Sequence, residues 1–203
     1  MSTLAYALTT KEKVKAYLEI TDASKDAIIE TLIDQVTDFI EGYCGGRRFL
    51  RSTYTQLFDT KQGMSKLFLN NFPVVDPVTS VKYRTGTVST PIWNTYNADG
   101  YYLYADEGYI QFTASLPAVP KGIQVIYEAG YLIDWANDRT ATHTLPRDLT
   151  GLATEMVAGA ITKQKSQGVS MMSTEGQSVT FSKNMTDDQK TILGRYQTYR
   201  MGI

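Results

Sequence analysis

Cysteine and histidine are almost absent from this 203-residue chain, which has only Cys44 and His143. One thiol cannot form an internal disulfide, and the pair cannot supply the ligand set of a structural zinc site. Cys44 ends a predicted helix, where the helix dipole raises a thiol pKa, so we interpret it as core filling rather than as a nucleophile. His143 lies in a polar loop, and we interpret it as solvated.

Long apolar runs and an excess of either charge are also missing. No stretch approaches the ~18 apolar residues that span a bilayer, so we expect no membrane partner. The start, MSTLAYALTTKEK, lacks the features of a signal peptide, and we expect synthesis in the cytoplasm. The 20 basic residues are balanced by 21 acidic ones, which argues against tight, sequence-specific DNA binding.

Convergent polar groups of the kind that catalysis needs are not evident either. Asp187 and Asp188 lie in the first turn of a predicted helix, where acids complement the dipole, rather than in a metal site. Asp106 and Glu107 lie in a turn between predicted strands, where acids are ordinary. We therefore predict no catalytic, cofactor or metal site, and a chain that is not an enzyme.

A glycine-arginine stretch, residues 45–48, is the nearest approach to a phosphate loop. It lacks the spacing of that motif and follows a helix rather than a strand, so we discount phosphate binding. We expect Arg47 and Arg48 to lie on a surface or at an interface. The chain also has 14 tyrosines, a residue favoured at protein interfaces because it combines contact area with a polar tip.

Helical periodicity predicts three helices, at residues 9–20, 25–44 and 146–167. The central helix has a wide apolar stripe with four acidic residues outside it: Glu30, Asp34, Asp38 and Glu41. Between the second and third helices, residues 51–131 alternate in polarity and are rich in β-branched and aromatic residues. We predict six strands there, at 53–59, 66–69, 78–84, 101–104, 109–112 and 123–128, separated by glycine and proline.

The C-terminal region reads as a polar linker, residues 169–185, followed by a short amphipathic helix. Thr186 and Gln189 have the spacing of a capping box. A helix this short is marginal alone in water and needs a surface on which to form. Two alternatives stay open: the helix folds back on its own core, or it crosses to another protein.

The predicted fold class is therefore α+β. N-terminal and central helices form an α-helical bundle, a small antiparallel β-sheet or barrel is inserted into it, and a C-terminal extension ends in a short helix. The predicted organisation is a core at residues 1–168 and an extended C-terminal arm at residues 169–203.

The order of several segments resembles that of the tailed-bacteriophage head-tail connector (adaptor) family, and the resemblance covers nearly the whole chain. The segments are LTTKEKVKAYL at 8–18, DAIIETLID at 26–34, IEGYCGGRRF at 40–49, PVVDPVTSVKY at 73–83, VIYEAGY at 125–131, LPRDL at 145–149, EGQSV at 175–179 and LGRY at 193–196. The β region is longer than in the smallest members, around residues 87–104, and the role of this insert stays open.

The resemblance implies a structural protein of the virion, at the interface of head and tail. Such a protein forms a ring, usually of twelve subunits, beneath the portal protein. The ring continues the DNA channel and offers an attachment surface to a tail, tail-completion or stopper protein. DNA would pass through it without sequence-specific contacts.

The resemblance also implies that the C-terminal segment reaches the portal. We expect Leu193, Tyr196 and Tyr199 to be anchors, and Arg195 and Arg200 to meet acidic or carbonyl groups there. The acidic residues of the central helix either line the channel or form an ordinary solvated face.

A β-rich binding module of a virion accessory protein, for carbohydrate or protein, is the alternative function. Aromatic residues are dense in one part of the β region, and aromatic faces bind sugars. These residues are Trp93, Tyr96, Tyr101, Tyr102 and Tyr104.

Overall fold

The computed structural model describes residues 5–167 and 185–198. Within them the chain forms four α-helices, α1 Lys11–Tyr17, α2 Asp26–Tyr43, α3 Arg147–Gln167 and α4 Asp187–Gly194. It also forms seven strands: β1 Ser52–Thr60, β2 Lys66–Phe68, β3 Ser80–Gly86, β4 Pro91–Thr95, β5 Tyr101–Tyr104, β6 Tyr109–Phe112 and β7 Val119–Ala129. The described chain divides into two compact units, a helical unit of residues 5–47, 132–167 and 185–197, and a β unit of residues 48–131.

The helical unit is built on α2 and α3, which pack against each other and against α1, and α3 also packs against α4. Apolar residues at helical spacing face inward, because burying them removes apolar surface from water. The buried side chains are Val14 on α1, Ile29, Leu32, Ile33, Val36 and Ile40 on α2, and Leu149, Leu152, Met156, Val157 and Ile161 on α3. Thr10 caps α1, its hydroxyl accepting a hydrogen bond from the Lys13 amide at 3.3 Å.

Lysines on α1 tie that helix to the start of α2. Lys11 Nζ lies 3.0 Å from Asp26 Oδ2 and 2.9 Å from Glu30 Oε1, and Lys15 Nζ lies 2.8 Å from Asp26 Oδ1. A seven-residue helix is too short to be stable alone. Both packing and these ion pairs therefore hold α1 in place.

The β unit contains two antiparallel sheets. One has four strands in the order β1-β7-β3-β4, and the other has three in the order β2-β6-β5. Strands β1 and β7 form the longest ladder, from Ser52 opposite Ala129 to Phe58 opposite Ile123. The strands place alternate residues on opposite faces, and the inward set forms one core. Its buried members are Leu67, Leu69, Phe72, Val74, Val78, Val81, Ile110, Phe112, Leu116, Ile123, Val125, Tyr127 and Ala129.

The region around residues 87–104 forms a hairpin and two edge strands. Gly86 begins the turn between β3 and β4 with a φ of +79°, and a Cβ there would lie 2.5 Å from the Thr90 carbonyl oxygen. A side chain at this position would therefore clash with backbone. Strands β4 and β5 each lie at the edge of their sheet. This region thus contributes an edge strand to each sheet.

The predicted helical bundle with an inserted small sheet is wrong. The described residues are strand-rich, with seven strands in two sheets against four helices. The physical reason is that the β region buries enough apolar surface between its own strands to form a core of its own. None of the helices in the described part of the chain is long and apolar enough to cross a membrane.

Candidate interaction surfaces

The terminal helix α4 begins with a complete capping box. The Gln189 amide donates to the Thr186 hydroxyl at 3.2 Å, and the Thr186 amide donates to Gln189 Oε1 at 3.1 Å. Leu193, on the opposite side of the helix from solvent, is fully buried, and Met185 before the helix is also buried. Helix α4 therefore packs onto α3 in its own helical unit.

A buried arginine holds the residues that follow α4. Arg47 donates from Nη1 to the Tyr196 carbonyl oxygen at 3.0 Å, and its guanidinium carbon lies 5.7 Å from the centroid of the Tyr196 ring. The side chain of Arg47 is fully buried, so its predicted place on a surface is wrong. The carbonyl oxygen and the aromatic face both offer negative partial charge to the guanidinium, which favours burial of the arginine there.

A carboxylate at the start of α3 makes a second contact with the same segment. The Tyr196 hydroxyl donates to Asp148 Oδ1 at 2.7 Å, and Arg195 Nη1 lies 3.9 Å from Asp148 Oδ2. Asp148 lies in the first turn of α3, where a negative charge complements the helix dipole. The Arg195 contact is long and exposed, and it contributes little compared with the hydroxyl hydrogen bond.

Cys44 lies beside this segment and is fully buried, which confirms its interpretation as core filling. Its Sγ is 3.9 Å from the Leu193 carbonyl oxygen. Burial raises the pKa of the Cys44 thiol to about 12. The thiol is therefore protonated at neutral pH and is a poor nucleophile.

The structure separates the residues that were predicted to bind the portal. Leu193 is buried in its own chain and Tyr196 is hydrogen-bonded there, so of the two alternatives the described part of the segment shows the fold-back. The Arg195 side chain is 66% exposed and is available to a second protein. Tyr199 and Arg200 lie outside the described residues, as does most of the predicted linker. The portal-binding role itself stays a prediction.

The four acidic residues of α2 do not form one uniform exposed stripe. Glu30 is paired with Lys11, and Glu41 is only 3% exposed, so neither presents a free carboxylate to solvent. Asp38 is exposed, and Asp34 is half-buried. Burial, together with the charges of Asp38 and Glu30, raises the pKa of Asp34. Channel lining by this face stays a prediction.

A cleft of about 640 Å³ opens in the helical unit between α1, the start of α3 and the loop that precedes α3. Lys13 Nζ lies 2.6 Å from Asp138 Oδ2 on one wall and 5.7 Å from the Trp135 ring centroid. The His143 ring lies 4.7 Å from that of Trp135, and His143 Nδ1 accepts a hydrogen bond from the Asp134 amide at 3.1 Å.

His143 is therefore not the solvated loop residue that was predicted. The sequence did not predict that Trp135 and His143 form part of an interaction surface, because the residues around them are polar. A tryptophan in a polar loop was the available signal, since a large aromatic ring is seldom left fully in water. The described residues contain no group of three or more side chains that could hold a metal ion.

The aromatic set offered for a carbohydrate site does not form one platform. Tyr96 and Tyr101 pack with Phe112, at centroid distances of 5.0 and 6.0 Å. Tyr104 stacks on Tyr109 at 4.3 Å, and Tyr102 alone is mostly exposed, at 64%. Such contacts are those of cross-strand and core packing, and they do not favour the binding-module alternative.

Comparison with known proteins gives a match over almost the whole chain. A family model described as head completion protein matches residues 7–201. Among curated protein sequences, none matches this chain.

Several solved structures share the fold, three of them from gene transfer agent particles. A chain in the neck of an empty gene transfer agent (GTA) particle, computed with C6 symmetry, has a TM-score of 0.60 at 14% identity, with coverage of 100% of this chain and 95% of that chain. A chain in the virion of a native GTA particle has a TM-score of 0.58 at 17% identity, with coverage of 100% and 95%. A chain in the neck of a native GTA particle, computed with C12 symmetry, has a TM-score of 0.54 at 16% identity, with coverage of 100% and 94%.

Proposed function

The chain belongs to the head completion protein family, and from that premise we propose that it is a structural protein of the virion that closes into a ring beneath the portal. The ring continues the DNA channel and gives the tail or a stopper protein its attachment surface. The family match over residues 7–201 carries this proposal, because it spans both the helical unit and the β unit.

The fold comparisons support a ring and its place in the particle. Chains with this fold occur in GTA necks computed with C6 and with C12 symmetry, and C12 symmetry fits a ring of twelve. A rotational ring needs two different, complementary surfaces on each copy, since the contact is heterologous. The near-equal numbers of basic and acidic residues suit a channel wall, because clustered lysine and arginine would hold DNA instead of letting it pass.

The portal contact is assigned to the C-terminal segment. Helix α4 is anchored to its own helical unit through Leu193 and Tyr196, and among the predicted portal-binding residues that are described, Arg195 is the exposed one. An arginine suits a partner surface of carboxylates or carbonyls, because it offers five donors and a permanent charge. We expect Tyr199 and Arg200 to extend the same contact.

Electron microscopy of the protein mixed with its portal tests the proposal. We expect negative-stain images of a ring stacked on the portal. Arg195→Glu should weaken the stacking while leaving the protein folded. Lys190→Glu is the matched control, since Lys190 lies on the exposed side of the same segment. Images in which the wild-type protein forms no ring and leaves the portal bare would refute the proposed function.

A further inference from the structure

Two arginines at the cleft of the helical unit, Arg139 and Arg147, form no ion pair in the part of the chain that is described, although the charge of Arg139 acts on the neighbouring Asp138 carboxyl. Arg139 and Arg147 are both exposed, and neither side chain makes an ion pair within 4.0 Å or a hydrogen bond there. The other cation, Lys13, is neutralised by Asp138 at 2.6 Å. With only Glu155 as a further acid in the lining, the cleft presents positive charge.

The walls of this cleft suit a protein surface. Tyr17 is 59% exposed at its edge, and Leu145 is buried beneath it. Gly151 on α3 lines the cleft, and a Cβ at that position would meet nothing within 4 Å. The cleft therefore combines exposed aromatic surface, positive charge and free space, a combination common at protein interfaces.

The acidic side of α2 is negatively charged and has acceptor atoms without a hydrogen-bond donor in the described part of the chain. Asp34 Oδ1 and Gln35 Oε1 are shielded from solvent and accept no hydrogen bond from the described residues. Asp38, one turn further on, is exposed and negatively charged. The raised pKa of Asp34 shows that its negative charge is unfavourable in the isolated chain. A cation supplied by another molecule would relieve that cost.

We propose that the acidic side of α2 in one copy, Asp34, Gln35 and Asp38, docks against the arginine cleft of the next copy. This inference rests on the proposed ring and names one of its subunit contacts. The two surfaces belong to different parts of the helical unit, since none of the α2 residues lines the cleft. Each copy carries one of each, which is the requirement for a head-to-tail contact that closes by rotation. The unlike charges favour this pairing over like-with-like pairing of either surface.

A charge exchange tests the contact. One variant carries Arg139→Glu and Arg147→Glu, and the other carries Asp34→Lys and Asp38→Lys. Each alone should lose ring formation, with association weakened by about tenfold or more, since like charges then face each other. An equal mixture should recover rings of alternating variants, as should a single chain with all four changes. The readouts are light scattering after size exclusion and negative-stain imaging, with circular dichroism to check folding.

A steric variant tests the same cleft without changing charge. Gly151→Leu should block the cleft and prevent ring formation. Gly159→Leu is the matched control, because Gly159 is also an exposed glycine of α3 with open space around it but does not line the cleft. Rings formed by either charge variant alone, no recovery in the mixture, or rings formed by Gly151→Leu would each overturn the contact. Wild-type protein that forms no ring would instead refute the proposed function.

Discussion

The helical unit and the β unit differ in the polar residues that they bury. In the β unit the inner polar contacts are neutral, as where the Tyr127 hydroxyl donates to Gln56 Oε1 at 3.0 Å and accepts from the Asn71 amide at 3.3 Å. The helical unit instead buries Arg47 and Glu41 and joins α1 to α2 through ion pairs. Both units therefore bury an apolar core, and the helical unit depends on charge as well.

The lengths of the elements explain the difference. Helices α1 and α4 have seven and eight residues, which is too few to form stable helices alone. Polar anchors make up for the small apolar area that each can bury. The strands of the β unit share one continuous core and need no such anchors. Acid and charge substitutions should therefore act mainly on the helical unit, whereas the β unit should respond mainly to cavities in its core.

The largest effect is expected from a cavity in the β unit. Ile110 on the central strand β6 is fully buried and lies opposite Leu67 on β2 and Leu103 on β5. Ile110→Ala should lower the free energy of unfolding by about 2–5 kcal/mol, through lost burial and the cavity left behind. Urea denaturation measures it. Ile92→Ala, at an exposed edge position, is the control, with a change within about 0.5 kcal/mol.

A smaller loss is expected when the buried charge of the helical unit is removed. Arg47→Met keeps much of the side-chain volume but removes the hydrogen bond to the Tyr196 carbonyl oxygen. A hydrogen bond from a charged group contributes about 1.5–3 kcal/mol, and the loss should fall in that range. Hydrogen exchange should show faster opening at the Tyr196 amide. Unchanged protection of that amide would show that Arg47 does not hold the segment, and Arg48→Met, at an exposed side chain, is the control.

Loss of a single hydroxyl should loosen the same segment less. Tyr196→Phe removes the 2.7 Å hydrogen bond to Asp148 but keeps the ring beside Arg47. The contact is only partly buried, so we expect a loss of about 1 kcal/mol in the local opening free energy, measured by hydrogen exchange. Tyr102→Phe, at an exposed tyrosine, should have no measurable effect. An equal change in both variants would contradict a specific role for the Tyr196 hydroxyl.

Acid should weaken the helical unit through Asp26. Hydrogen bonds from Lys15 and then Lys11 lower the pKa of this carboxyl. A lowered pKa means that the stabilisation is complete above the ordinary pKa of an unfolded aspartate, about 3.9, and is lost as pH falls through the lower folded value. Asp26→Asn should therefore flatten the fall in stability between about pH 5 and pH 2, measured by denaturation across that range. A profile as steep as that of the wild type would contradict this assignment.

The smallest predicted effect is a gain in stability, from a substitution at Asp34. Burial and two neighbouring acids raise the pKa of Asp34, so its ionisation destabilises the folded chain, and stability falls as pH rises through that pKa. Asp34→Asn should stabilise the isolated protein at neutral pH by no more than about 0.5 kcal/mol, the usual range of surface changes. The gain should disappear below the ordinary pKa of aspartate. Thermal unfolding at neutral and acidic pH measures it, and a loss of stability at pH 7 would contradict the assignment.

Element by element, much of the secondary structure could be predicted. The predicted helices coincide with α1, α2 and α3 to within a few residues at each end, and all six predicted strands are present. Strand β4, Pro91–Thr95, was missed because it is short and begins with proline, which ordinarily breaks a strand. The predicted arrangement of these elements, a helical bundle with an inserted small sheet, was wrong. The periodicity of one segment does not reveal how much surface the segments bury together.

In the C-terminal segment, the capping box of α4 could be predicted from the sequence. Thr186 and Gln189 are three residues apart, and each forms a hydrogen bond with the backbone of the other. The positions of the Leu193 and Arg47 side chains could not be predicted. A leucine on a short terminal helix fits either its own core or a partner. An arginine beside two glycines is expected in water, and the aromatic face and carbonyl that contact it in the structure come from a distant segment.

The amino-acid sequence by itself determined the capping box of α4 and the alternation of the strands, because these depend on residues a few positions apart. Tertiary structure alone decided which strands pair, as where Ser52 lies opposite Ala129, and brought Arg47 to a residue 149 positions away. Contacts of that range close large loops and depend on each unit reaching its own compact arrangement, so no local pattern specifies them.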